Sequence, residues 1–209
     1  MEQEVLSTMN KGRLIVFSAP SGCGKGTMLA EIVKNKKFWC SISATTRFPR
    51  NGEIDGVDYH FMTRDEFEKR IANNEFLEYA EYCQNYYGTI LSEVDEKIEK
   101  GIDVILEIEV QGAMKIKEKR PDAIFVFIAP PSVGELRRRL KKRGTEPDEI
   151  IDERVSKATE EIMLAKNYDY VIVNDALEDA IEDFFAVMRA ERLKIEFSAE
   201  LIDEVINNA

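Results

Sequence analysis

Histidine, cysteine and tryptophan are scarce in this 209-residue chain, which holds one His, three Cys and one Trp. Cys23, Cys40 and Cys83 are odd in number and no two have metal-ligand spacing, which excludes a disulfide framework and a zinc site. The single histidine, His60, reads as a strand residue without a catalytic role. No stretch approaches the ~20 consecutive apolar residues of a membrane span, so no membrane partner is expected. Positive charge is in the minority: 29 Lys and Arg stand against 40 Asp and Glu, a formal net charge of −11. Sequence-independent nucleic-acid binding rests on neutralising phosphates, so a nucleic-acid partner is not expected either. A local anion site remains open, because the field inside a cleft does not follow the sum of charges. Met1 to Asn10 contains Glu2 and Glu4 and no apolar core, unlike a secretory signal; a cytoplasmic location is the expectation.

What is present is a globular composition, 44% hydrophobic and 33% charged, which sets the chain apart from disordered polymers. Leu14 to Phe17 is a short apolar, β-rich run. Val104 to Leu106, Ile124 to Ile128 and Val171 to Val173 repeat its character. Helical spacing lies between them, as in Leu136 and Leu140, in Val155, Ala158 and Ile162, and in Leu177, Ala180, Ile181, Phe184, Val187 and Met188. Strands alternating with helices imply an α/β fold with a parallel sheet covered on both faces. From Cys40 to Ser92 the rhythm breaks into short β-like pieces, turns and one helix around Asp65 to Asn73, an inserted subdomain. Lys142 to Asp152 is polar, holds Gly144 and Pro147, and reads as a mobile flap. The expected division is a core of residues 1–39 and 93–209, with a small lid at about 142–152, and an insert at 40–92. Ser198 to Asn208 reads as one more helix, with Ser198 as N-cap.

The strongest local signal is Ala19-Pro20-Ser21-Gly22-Cys23-Gly24-Lys25-Gly26-Thr27, set between the first strand and the first helix. Glycines let backbone N–H groups turn toward a polyphosphate, the helix N-terminus adds partial positive charge, and Lys25 adds a full one. The loop departs from the strict G-x-x-x-x-G-K-[ST] pattern at Ala19 and Gly26, so Thr27 is the hydroxyl expected at Mg²⁺. Cys23 stands where a helix N-terminus lowers a thiol's pKa; it has no assigned function, but thiol reagents are expected to inactivate.

Arg47 and Arg50 lie three apart, with Pro49 stiffening the turn, and a guanidinium fork suits phosphate oxygens. Asp58 to Phe61 and Asn85 to Thr89 add phenols and hydroxyls. Taken singly, these residues read as solvated surface or rim, and Glu78 as a surface glutamate. Taken together with the loop, they resemble guanylate kinases, from Gly12 to about Leu193. The matching pieces are Ala19 to Thr27, Thr45 to Arg50, Gly56 to Tyr59, Asn74 to Glu78, Asn85 to Gly88, Val110 to Gly112, Ile128 to Ser132, Arg143 to Thr145 and Ile172 to Asp175.

The resemblance implies a P-loop core with a five-stranded parallel sheet flanked by helices, a mixed β-rich GMP-binding insert and a small lid. It implies transfer of the γ-phosphoryl of ATP to GMP, giving ADP and GDP, with Mg²⁺ accompanying ATP. Arg47, Arg50, Tyr59 and Tyr87 would hold the GMP phosphate. Glu78 would accept from guanine N1–H and the 2-amino group, and Ser43 and Thr89 would bond guanine, Thr89 at O6. Ala19 to Thr27 and Asn174 would bind ATP, Asn174 at the adenine. Lys25, Arg139, Arg143 and Arg154 would act on the migrating phosphoryl, Arg143 also on ATP. Alternation along a strand through Glu107, Ile108 and Glu109 points both carboxylates to one side. Glu107 would hold Mg²⁺ through water, and Glu109, where the family usually has Asp, would face GMP. Two rival readings are a guanylate-kinase-like peptide-binding module and a related kinase with another acceptor. Oligomeric state is not legible, whether monomer or homo-oligomer.

Overall fold

The computed structural model describes residues 11–144, 147–195, 202 and 205–207. The helix expected at Ser198 to Asn208 falls for the most part outside them, as does the segment Met1 to Asn10.

Five parallel strands form the central sheet. They are β1 (Leu14–Ser18), β2 (Phe38–Cys40), β7 (Asp103–Glu107), β8 (Ile124–Ala129) and β9 (Tyr170–Val173), in the order β2-β7-β1-β8-β9. Registers such as Val16 opposite Leu106 on one side and Phe125 on the other place β1 at the centre. That position buries both faces of β1 and accounts for its unbroken apolar run. Leu14, Val16, Leu106 and Phe125 pack against helices α3 (Leu91–Glu99) and α4 (Val110–Lys119). Ile15, Phe17, Ile105 and Val126 pack against α1 (Lys25–Ile32) and α7 (Leu177–Arg192). Phe184 of α7 anchors the second face, edge-on to Phe17 at 5.9 Å and Phe38 at 5.6 Å. The chain leaves β1 toward one edge and later returns toward the other, which opens a crevice at the carboxyl ends of the strands.

A second sheet has the order β4-β3-β6-β5, built from β3 (Ser43–Thr45), β4 (His60–Phe61), β5 (Phe76–Tyr82) and β6 (Asn85–Ile90). It is mixed, with β3 parallel to β4 and antiparallel to β6. Cys83 (φ 48°) and Gln84 (φ 63°) are the two positive-φ residues that a tight hairpin between β5 and β6 needs. Helix α2 (Arg64–Ala72) starts with a capping box between Thr63 and Glu66, and its Phe67 stacks on Phe76 at 4.2 Å.

The polar patch at 142–152 departs from the expected irregular flap. Helix α5 (Val133–Arg143) runs into it, and α6 (Asp148–Met163) starts inside it. The loop signals Gly144 and Pro147 are helix-end residues: Gly144 is the left-handed C-cap of α5 (φ 65°), and Pro147 precedes α6. The pair is held by Leu136, Leu140, Ile151 and Val155, and by Lys141 to Asp148 at 2.8 Å. Among the described residues no helix is long and apolar enough to cross a membrane.

Candidate active site

The loop between β1 and α1 lies at the crevice. Gly22 (φ 95°) and Gly24 (φ 81°) adopt left-handed backbone, and a Cβ on Gly22 would come within 2.8 Å of Leu140. Gly24 is the N-cap of α1 and Lys25 its first residue, so no acidic side chain offsets the helix N-terminus. A cleft of about 380 Å³ opens here, lined by Ala19 to Gly22, Gly24 to Thr27, Glu109, Arg154, Lys157, Ala158 and Glu161. The Lys25 ammonium lies 3.5 Å from Glu107 at the end of β7. Arg154 of α6 donates to the Ser21 hydroxyl. A Cβ on Gly26 would meet nothing within 4 Å, so the start of the helix faces open space.

Cys23 belongs to this loop only through its backbone. Its side chain is 1% exposed, among Leu136, Leu140 and Ile151 of the α5–α6 pair. Burial pushes the thiol up to about 12, against the smaller opposing effects of Arg139 and Lys25. The expected thiol reactivity is therefore overturned: desolvation outweighs the helix terminus.

Glu107 and Glu109 do not share a strand. β7 ends at Glu107, and Glu109 is the extended N-cap residue of α4. Both still face the crevice side, Glu107 toward Lys25 and Glu109 in the cleft wall, 3.9 Å from Lys157.

The flap arginines separate. Arg154 borders the cleft, whereas Arg139 is held by Glu135 (2.8 Å) and the Asn174 carbonyl (2.9 Å). It borders a second hollow with Gly22, Gly24 and Lys142. Arg143 ends α5, and its side chain lies outside what is described. Asn174 is 5% exposed, with its amide nitrogen 2.7 Å from the Cys23 carbonyl.

The insert gathers a second site. The β5–β6 pairing shifts register between Phe76 and Glu78, so Phe76, Leu77 and Glu78 are all buried where strict alternation would expose one. Glu78 thereby lies opposite Thr89, which is itself paired with Ser43 on β3. Glu78 is 8% exposed and accepts from the Thr89 hydroxyl at 2.8 Å. Burial raises its pKa, opposed by the Thr89 bond and by Lys115 and Lys119 of α4. With its proton given to Glu78, Thr89 offers lone pairs rather than the donor that guanine O6 would need. A Cβ on Gly112 of α4 would lie 3.7 Å from the second Glu78 oxygen, so the glycine keeps a methyl group from contact with the carboxylate.

Arg47 lies 5.2 Å over the Tyr59 ring, and Tyr59 meets Tyr87 at 6.2 Å. Glu53, which sequence reasoning missed, grips Arg47 with two oxygens at 2.8 and 2.9 Å and accepts the Arg50 backbone N–H at 2.7 Å. Arg47 Nη1 also donates to the Phe48 carbonyl at 2.8 Å. These bonds use three of the five guanidinium N–H groups, and the Tyr87 phenol also interacts with the Arg47 side chain. Glu135, also missed, holds Arg138 and Arg139 three and four residues along α5, a spacing legible in any helix. Their guanidinium groups hold its carboxyl down to about 2.

Comparison with known proteins places the chain in a family. The family model described as "Guanylate kinase" matches residues 11–191. A guanylate kinase of Lactococcus lactis is 52% identical over 200 residues, covering 93% of this chain and 98% of its own length. One of Latilactobacillus sakei is 49% identical over 188 residues, covering 89% and 93%. The crystal structure of guanylate kinase from Anaplasma phagocytophilum superposes with a TM-score of 0.70 at 34% identity, covering 88% of each chain.

Proposed function

This chain belongs to the guanylate kinase family, and from that premise we propose that it transfers the γ-phosphoryl group of ATP to GMP, producing ADP and GDP. One observation carries the choice of acceptor base. Glu78 is a buried carboxylate with Thr89 as the hydrogen-bond partner of one oxygen, and its second oxygen lies beside Gly112, where no side chain intervenes. A carboxylate so placed gains most from a ligand with two adjacent donors, which guanine presents at N1 and the 2-amino group. AMP would leave it unpaired.

In this reading, residues 40–92 form the acceptor-binding insert. Residues 1–39 and 93–209 form the donor-binding core. The GMP phosphate meets Arg47, with Arg50, Tyr59 and Tyr87 around it. Ser43 and Thr89 border the base, Thr89 by fixing the Glu78 rotamer. The polyphosphate of ATP lies on the loop Ala19 to Thr27, received by backbone N–H groups such as that of Gly24, with Lys25 and Arg154 beside it. Arg139 and Arg143, from α5, complete the positive surround. The acceptor needs no general base, since a phosphomonoester's second pKa is about 6 and its oxygens are largely ionised at neutral pH. Catalysis then rests on alignment and on balancing charge.

The oxygen donors here suit Mg²⁺. Thr27 and Glu107 are hard ligands at the loop and the strand end, and Glu109 stands in the same cleft wall. Thr27, and Glu107 through water, would hold the ion; when bound, it would balance charge on the phosphate oxygens.

An ADP-release assay with ATP, Mg²⁺ and separate GMP, AMP, CMP or UMP tests the reading. Turnover with GMP alone is expected. Turnover with another monophosphate in place of GMP would refute the base assignment, and none with any acceptor would refute the kinase.

A further inference from the structure

Asn174 follows β9 and is 5% exposed. Its backbone N–H donates to the Ala129 carbonyl at the end of β8, at 2.9 Å. Its backbone carbonyl accepts from Arg139 at 2.9 Å. Its side-chain nitrogen donates to the Cys23 carbonyl at 2.7 Å, joining residues 151 apart in sequence. A Cβ on Gly24 would lie only 2.7 Å from that nitrogen, so the loop closes tightly around the amide.

The Cys23 carbonyl and the Gly24 N–H belong to one planar trans peptide and point in opposite directions. Holding the carbonyl toward Asn174 therefore aims the Gly24 N–H away from it, toward the phosphate side of the loop. Among the described residues no backbone carbonyl takes that N–H. The same asparagine holds Arg139 through its main chain, so the loop and the α5 arginine share one support.

We propose that Asn174 is a positioning residue for the phosphate cradle, acting on the donor's polyphosphate through the Cys23–Gly24 peptide. The proposal rests on the reading of the loop as the ATP polyphosphate site. It is a second role beside the adenine contact implied by family resemblance, since it uses the side-chain nitrogen and leaves the side-chain oxygen. A cradle residue affects every polyphosphate alike; a base contact affects only those that carry adenine.

Calorimetric titration of ADP, inorganic tripolyphosphate and GMP, each with Mg²⁺, into the full chain separates the two. The variants are Asn174→Ala and Asn174→Asp. The aspartate keeps a side-chain oxygen that an adenine amino group could use, but lacks the donor that Cys23 takes. Both variants are expected to lose affinity for tripolyphosphate as well as for ADP, about tenfold or more, with GMP affinity within about twofold of the parent. An aspartate variant that binds ADP as the parent does would overturn the proposal. So would an alanine variant weakened toward ADP alone. Equal weakening toward GMP, or loss of a cooperative melting transition, would reduce Asn174 to a fold residue and also refute it. A parent that binds neither ADP nor tripolyphosphate would refute the donor site itself, a result distinct from any variant outcome.

Discussion

Glu78→Gln should separate stability from function in opposite directions. The parent carboxylate is 8% exposed, with one oxygen bonded to Thr89 and the other beside Gly112. In the variant, the amide oxygen keeps the Thr89 bond, so the amide NH₂ points to where guanine's donors arrive. One charge-assisted hydrogen bond becomes neutral and another becomes donor against donor. Bonds to charged groups contribute about 1.5–3 kcal/mol each and an unmatched group costs about 1–3 kcal/mol. A combined loss of about 3–4 kcal/mol lowers kcat/KM for GMP by roughly 10²- to 10³-fold. KM for ATP should stay within about twofold, because the donor cleft is built from other elements. Stability moves the other way. Burial raises the Glu78 pKa, so the folded state favours the protonated form. The contribution of this group is therefore fully present below the ordinary carboxylate pKa and is lost as pH rises through the raised folded value. Glutamine stays neutral. The melting temperatures of parent and variant should nearly coincide near pH ~4 and separate in the variant's favour toward neutral pH. A pH-independent difference, or retained GMP turnover, would refute the reasoning.

Glu53→Ala removes the carboxylate that grips Arg47 and accepts the Arg50 N–H. Steady-state kinetics should show KM for GMP raised about tenfold with KM for ATP unchanged. A fall in KM would instead mark Glu53 as a competitor of the phosphate. Gly112→Ala meets only ordinary contacts, the nearest at 3.7 Å, and should raise thermal stability by about 1 kcal/mol through helix propensity. Its methyl group would stand in contact with the second Glu78 oxygen, so KM for GMP should rise in the same protein. Alkylation at pH ~8 followed by peptide mapping should label exposed Cys83 and spare Cys23, whose thiol is pushed up to about 12. Phe184→Ala removes the ring between Phe17 and Phe38 and should cost about 3–5 kcal/mol in urea unfolding.

Short-range patterns made much of the fold legible. The apolar runs of β1, β7, β8 and β9 and the glycines of the first loop carry their structure locally. Strand β2 was not singled out, because Phe38-Trp39-Cys40 is too short to display a period and is defined by its pairing with β7. The patch at 142–152 read as irregular because Gly144 and Pro147 serve equally as loop signals and helix ends. Alternation could not reveal that β7 stops at Glu107, nor that a bulge buries Glu78 with its neighbours. Glu53 was invisible for another reason: its partner Arg47 lies six residues back across a turn, where no helical or strand period applies. Asn174 and Cys23 meet only because β9 lies beside β8, two strands from the sheet's centre outward.

The central claim is direct phosphoryl transfer between two bound nucleotides. It is tested most directly by following ATP, GMP and Mg²⁺ with this protein by phosphorus-31 NMR. The account predicts that ADP and GDP β-phosphate signals grow together in equal amounts, with no inorganic phosphate. Growth of inorganic phosphate with GMP unchanged, or an unchanged spectrum, would contradict it.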